Sequence, residues 1–141
     1  MRIEGLIISA ALFLISILPS DAETAVKVGV LYDFSGLYAD IGGPGAVAAA
    51  KMAVEDFYAG KAVRGEVVWA DHQNKPDVAV NIVRRWYDRD GVDAIFGIGN
   101  SGIALVISEI TKEKNKVLID TGSATSDLTG SKCSPNTISW T

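Results

Sequence analysis

Apolar positions along this chain fall into two kinds of block, short near-continuous runs and longer stretches with apolar residues at helical spacing. Residues 26–32 (VKVGVLY) predict a strand with Val28, Val30 and Leu31 suited to burial. The glycines and proline of 42–45 (GGPG) predict a turn, and the alanine-rich stretch 46–58 a helix stopped at Gly60. Residues 66–70 (EVVWA) read as a second strand. Pro76 then sits where a first helical turn tolerates it, and Asp77 complements the helix dipole. The helix that follows puts Ala79, Ile82, Val83 and Trp86 on one face, and Gly91 closes it. Residues 92–97 (VDAIFG) predict a third strand, 101–114 a third helix, 116–120 (KVLID) a fourth strand and 137–140 (TISW) a fifth.

Apolar strands separated by helices of this length mean a parallel sheet covered on both faces. Right-handed crossovers make an open, doubly wound α/β sheet the economical solution. Such sheets bind ligands outside the carboxyl ends of their strands, near the point where strand order reverses. The segments that matter for function are therefore 33–45, 71–75, 97–102 and 120–127.

The amino terminus sets the compartment. Met1 and Arg2 carry positive charge ahead of the unbroken apolar or small run 6–18 (LIISAALFLISIL), and Pro19 precedes the small residues of a cleavage site at Ser20-Asp21-Ala22. That run is shorter than the roughly 20 residues of a membrane-spanning helix. Residues 1–22 are expected to be a cleavable signal peptide and 23–141 the exported, periplasmic domain. The net charge of −4 and the lack of a basic cluster argue against nucleic acid and anionic membrane as partners. Cys133 is the only cysteine, which excludes an internal disulfide and leaves either a missing partner or a buried free thiol.

Two segments carry chemistry. Gly97-Ile98-Gly99-Asn100-Ser101-Gly102 follows a strand and opens a helix, whose unpaired amides can receive an anion beside the Ser101 hydroxyl. Thr121-Gly122-Ser123-Ala124-Thr125-Ser126 follows the neighbouring strand and is rich in hydroxyls. Together they make a carboxylate clamp. Each hydrogen bond to a charged group contributes about 1.5–3 kcal/mol, so a few supply much of the roughly 8 kcal/mol of micromolar binding. The first segment also fits the dinucleotide pattern GxGxxG, but on the third strand-turn-helix unit, where that fingerprint usually marks the first. Asp33 and Asp71 read as loop or capping residues, and Tyr38 flanks the first loop. His72, the only histidine, lacks the neighbours of a metal site or a catalytic base and is expected in a loop; no metal or cofactor is expected. Trp69, Trp86 and Tyr87 are expected in the core. An exported enzyme would need an activated nucleophile, and GxGNSG is not the GxSxG elbow.

Taken in order, VGVLYDFSGLYADIG, GAVAAAKMAVEDF, PDVAVNIVRRWYDRDGVDAIFG, GNSG and VLIDTGSATSDLTG resemble the amino-terminal part of periplasmic solute-binding proteins of the leucine/isoleucine/valine type, receptors of ABC importers. The resemblance covers essentially residues 26–141. It implies the first lobe of a type I periplasmic binding fold, incomplete here, with a second lobe beyond the sequence. It also implies a small carboxylate as ligand, an ABC permease with its ATPase as partners, and no enzymatic activity. Ser101 and the backbone beside it at Asn100 are implied to hold the carboxylate, Ser123 (by backbone) and Thr125 the ligand's polar head, with Ala124 as the substitute if the match slips by one. Amino-acid binders of the family often carry tyrosine where this chain has Ile41, a departure that admits an aromatic or aliphatic organic acid. A ligand-sensing domain acting on a partner protein is the alternative reading.

Overall fold

The computed structural model describes residues 25–61 and 63–140; the expected signal peptide lies outside them. The chain alternates strand and helix: β1 (Ala25–Tyr32), α1 (Gly43–Tyr58), β2 (Arg64–Asp71), α2 (Pro76–Asp88), β3 (Ala94–Gly97), α3 (Ser101–Glu113), β4 (Val117–Asp120) and β5 (Thr137–Ser139), with a single 3₁₀ turn at Ser126–Leu128. All pairings are parallel, in the order β2-β1-β3-β4-β5. Strand order reverses between β1 and β3, which makes their carboxyl ends the switch point.

The helices divide between the two faces. α2 and α3 bury Val83, Trp86, Ile103 and Ile107 against Leu31, Ile95 and Leu118 of the sheet in one core. Gly29 is required there, because a Cβ would stand 2.5 Å from the Trp86 ring. Tyr87 completes this layer, its hydroxyl 3.1 Å from that of Thr111, and burial pushes it up to about 12. α1 packs on the opposite face over β1 and β2, where Val54 and Tyr58 fill the space above Gly65. Side chains alternate across a strand, so the residues between those of the core form a row on α1's face. Trp69, Val30, Phe96, Ile119 and Ile138 follow one another in register from β2 to β5.

Trp69 corrects a sequence expectation. It is 56% exposed and packs beside Phe34, with ring centroids 5.0 Å apart. Trp86 and Tyr87 are buried as expected; Trp69 is not, because it faces away from α2 and α3 near the end of an edge strand. Cys133 is exposed, which disposes of the buried-thiol alternative.

Candidate functional site

Four loops meet at the carboxyl edge of the sheet, and backbone hydrogen bonds extend the ladder into them. Ile98 N–H donates to Leu31 O at 2.7 Å, His72 N–H to Tyr32 O at 3.0 Å and Thr121 N–H to Gly97 O at 3.1 Å. The Tyr32 ring lies among four glycines at this edge. Added Cβ atoms at Gly42, Gly97, Gly99 and Gly122 would all stand within 2.8 Å of it. Gly97 and Gly99 also have φ of +108° and +74°. Close packing on Tyr32 and a left-handed backbone account for Gly97 and Gly99, the first two glycines of the GxGxxG pattern, without a dinucleotide.

The loop after β1 is organised by carboxylates. Asp33 is fully buried and accepts the amides of Gly36 (2.7 Å) and Tyr38 (3.0 Å). Asp71 accepts the amides of Phe34 and Gln73 and the Ser35 hydroxyl. Burial raises its pKa, but those three hydrogen bonds outweigh it and the net shift is downward. Asp33 is the loop residue the sequence reading expected, while Asp71 is the last residue of β2 and caps the loops after β1 and β2. Tyr38 is half-buried on this loop, and Ile41 is 74% exposed at its rim.

α3 begins at the switch point, and its first residues divide the work. Asn100 is the cap: its Oδ1 accepts from Ile103 N–H at 3.0 Å while its Nδ2 donates to Asn74 Oδ1 at 2.7 Å. That side chain is consumed by the fold. Ser101 is half-buried, and among the described residues neither its hydroxyl nor its amide, nor that of Gly102, has a hydrogen-bond partner. The first turn thus presents two amides and one hydroxyl at a helix amino terminus, a ready cradle for an anion.

The second expected segment lies against the first, since a Cβ on Gly122 would come within 3.0 Å of Gly99 Cα. Its residues play different parts. Ser123 is buried and donates its hydroxyl to Asp120 Oδ1 at 2.7 Å. Thr125 Oγ1 accepts the Asp127 amide at 3.3 Å, capping the 3₁₀ turn, and Ala124 is exposed. Asp120 is fully buried, its Oδ2 without a hydrogen-bond partner among the described residues. Burial raises its pKa, against hydrogen bonds from the Ser123 hydroxyl and the Ser123 and Gly122 amides. Tyr32 is likewise raised, first by burial and then by the Asp120 charge.

Sequence reasoning left His72 as a loop residue. It is fully buried, with both ring nitrogens engaged. Among the described residues no cluster of His, Cys, Asp and Glu could hold a metal ion. An apolar groove of about 590 Å³ lies between α1 and the sheet, lined by Val28, Val30, Ala50, Val54, Phe57 and Phe96. Apart from the hydroxyl-bearing Tyr58 and Thr121, its lining is apolar.

A family model described as periplasmic binding protein matches residues 25–141. The chain belongs to that family, whose members bind solutes and are not enzymes. It is 47% identical to a periplasmic binding protein of Burkholderia mallei (TM-score 0.76, covering 83% of this chain and 31% of that one). It is 45% identical to a branched-chain amino acid ABC transporter periplasmic ligand-binding protein of Burkholderia xenovorans (TM-score 0.74, 79% and 30% covered). A branched-chain amino acid transporter substrate-binding protein of Streptococcus pneumoniae, solved with isoleucine, shares the fold at 21% identity (TM-score 0.73, 84% and 34% covered). The chain spans about a third of the length of these proteins. No curated protein sequence matches it significantly. The five-stranded parallel sheet is the type I binding-protein architecture, here part of one lobe.

Proposed function

We propose that this chain forms part of the ligand-binding lobe of an extracytoplasmic receptor of an ABC importer. It takes a small carboxylate and presents it, after closure of a second lobe, to a membrane permease driven by its ATPase. Residues 1–22 act as the signal peptide that delivers it to the periplasm. The observation that carries this reading is the free first turn of α3. Ser101 and the adjacent amides have no partner among the described residues, lie at the strand-order switch point and adjoin the 121–125 turn. Asn100 serves by holding that turn in place, and Ser123 by fixing the backbone around Ala124 and Thr125, whose exposed or half-buried positions face the ligand's polar head. Tyr38 and Ile41 border the site from the first loop. Solved relatives hold isoleucine, benzoate and 3,4-dihydroxybenzoic acid, three carboxylates of differing bulk. The absence of tyrosine at Ile41 favours the organic acids.

A thermal-shift panel on the full gene product tests this, using leucine, isoleucine, benzoate and 3,4-dihydroxybenzoate against isoleucinamide and benzamide. A ligand at a hundred times its Kd stabilises by about 2.7 kcal/mol, so micromolar binders are visible at submillimolar concentration. Stabilisation by an acid and not by its amide is the expected result. Equal shifts from acid and amide would overturn the carboxylate clamp.

A further inference from the structure

Three successive residues ahead of the ligand turn have positive φ: Gly97 (+108°), Ile98 (+84°) and Gly99 (+74°). Two are glycines; the middle one is a buried, β-branched isoleucine, for which this backbone region is a genuine outlier. Ile98 is fully buried, so its side chain is held by the core while its main chain is held against preference. The bonds that hold it are identifiable. Its amide donates to Leu31 O at 2.7 Å, and its carbonyl lies 2.9 Å from His72 Nε2.

His72 is set for this task. It follows β2, donates its own amide to Tyr32 O, and reaches past the end of β1 to the loop after β3. Gln73 and Asn74 are both left-handed, with φ of +53° and +55°. They turn the chain back so that the Asn74 amide donates to His72 Nδ1 at 3.0 Å. With Nδ1 accepting, the proton sits on Nε2 and is donated to Ile98 O. The Asn74 side chain then accepts from Asn100 Nδ2, and Asn100 caps α3.

Resting on the functional reading above, we propose that His72 is a positioning residue for the ligand turn: the buried imidazole holds the strained Ile98–Gly99 peptide, and through Asn74 the Asn100 cap, so that the first turn of α3 meets the ligand. His72 touches no ligand itself. Without it the peptide between Ile98 and Gly99 is free to relax, and the start of α3 moves with it.

The test compares the full gene product with its His72→Phe and His72→Gln variants. Without ligand, His72→Phe should lose at least tenfold of the hydrogen-exchange protection at the Ile98 and Ile103 amides while Val83 and Trp86 in α2 keep theirs. His72→Gln, which retains a distal N–H donor, should recover part of the loss at Ile98. Affinity for isoleucine or benzoate, whichever binds the wild type, should fall about tenfold or more in His72→Phe. Uniform loss of protection, or unchanged affinity, would reduce His72 to a structural residue and overturn the proposal. If neither compound nor any other acid of the thermal-shift panel binds the wild type, the functional reading fails, and the exchange pattern still decides the positioning. Should His72→Phe not fold, ring-nitrogen NMR of the wild type decides: a neutral ring protonated on Nε2 supports the proposal, and one protonated on Nδ1 sinks it.

Discussion

Replacing Ser101 by alanine separates ligand binding from helix capping more cleanly than any other change at this site. The Ser101 hydroxyl has no partner among the described residues and is half-buried, so its removal leaves the fold nearly intact. Surface changes of this sort stay within about 0.5 kcal/mol. A hydrogen bond to a charged carboxylate contributes about 1.5–3 kcal/mol, which at 1.4 kcal/mol per decade is roughly a 10- to 150-fold loss of affinity. Its neighbour should behave in the opposite way. Asn100→Ala loses the cap on Ile103, about 1 kcal/mol, and the hydrogen bond to Asn74, about 1 kcal/mol more. Stability then falls by roughly 2 kcal/mol, and affinity falls only as far as the turn moves. Titration calorimetry with the acid identified by thermal shift, beside urea denaturation of both variants, reads the two quantities independently. A Ser101→Ala protein with wild-type Kd and lowered stability would refute the division of labour and make Ser101 part of the cap.

Four further outcomes follow from particular atoms. Gly97→Ala should cost about 3 kcal/mol or more in urea denaturation, because φ is +108° and the new Cβ would meet the Leu31 carbonyl at 2.8 Å; a cost below about 1 kcal/mol contradicts the geometry. Gly45→Ala, in the first turn of α1 with nothing within 4 Å, should instead stabilise by about 0.5–1 kcal/mol. Asp120 is raised by burial, so folding favours its protonated form, and its contribution is present at low pH and lost as pH rises through the folded pKa. Asp120→Asn should therefore steepen the loss of stability as pH falls through the carboxylate range and match or exceed wild type at neutral pH; an unchanged acid limb counts against this. Tyr87 should ionise near pH 12, with stability falling as pH rises from about 10 to that value, and Tyr87→Phe should abolish that late absorbance step.

The order of elements was legible because each strand is apolar enough to be buried on both faces and each helix carries its period. What periodicity does not report is which helix covers which face. Ala79, Val83 and Trp86 announced α2's buried side, but Trp69 looked equally apolar and lies on the other face, beyond the reach of α2 and α3. The site was legible as two loops at neighbouring strand ends. The roles within them were not, because they depend on partners that sequence does not pair. Ser123 looks like Ser101 in a string of letters, yet its hydroxyl turns inward to Asp120 three residues earlier. His72 was passed over for want of a second histidine or cysteine, the wrong signal to seek for an imidazole whose partners are a carbonyl and an amide. The hint available was Ile98 between two glycines, a bulky residue in a glycine's conformation.

The strand that contributes nothing to the proposed ligand contacts does most to shape them. β2 is an edge strand, and the residues at its end act at distances of 26 to 37 positions along the chain. Asp71 holds Phe34 and Ser35 in the loop after β1, His72 holds Ile98 after β3, and Asn74 holds Asn100 at the start of α3. Parallel order makes this possible, since the carboxyl ends of β2, β1 and β3 stand side by side and a polar side chain from the edge reaches inward across both neighbours. The loops proposed to meet the ligand can then carry glycines and unpaired donors, which on their own would leave them loose. Rigidity comes from side chains outside the proposed contact surface, and the donors at Ser101 and Gly102 are left free because none of these braces uses them.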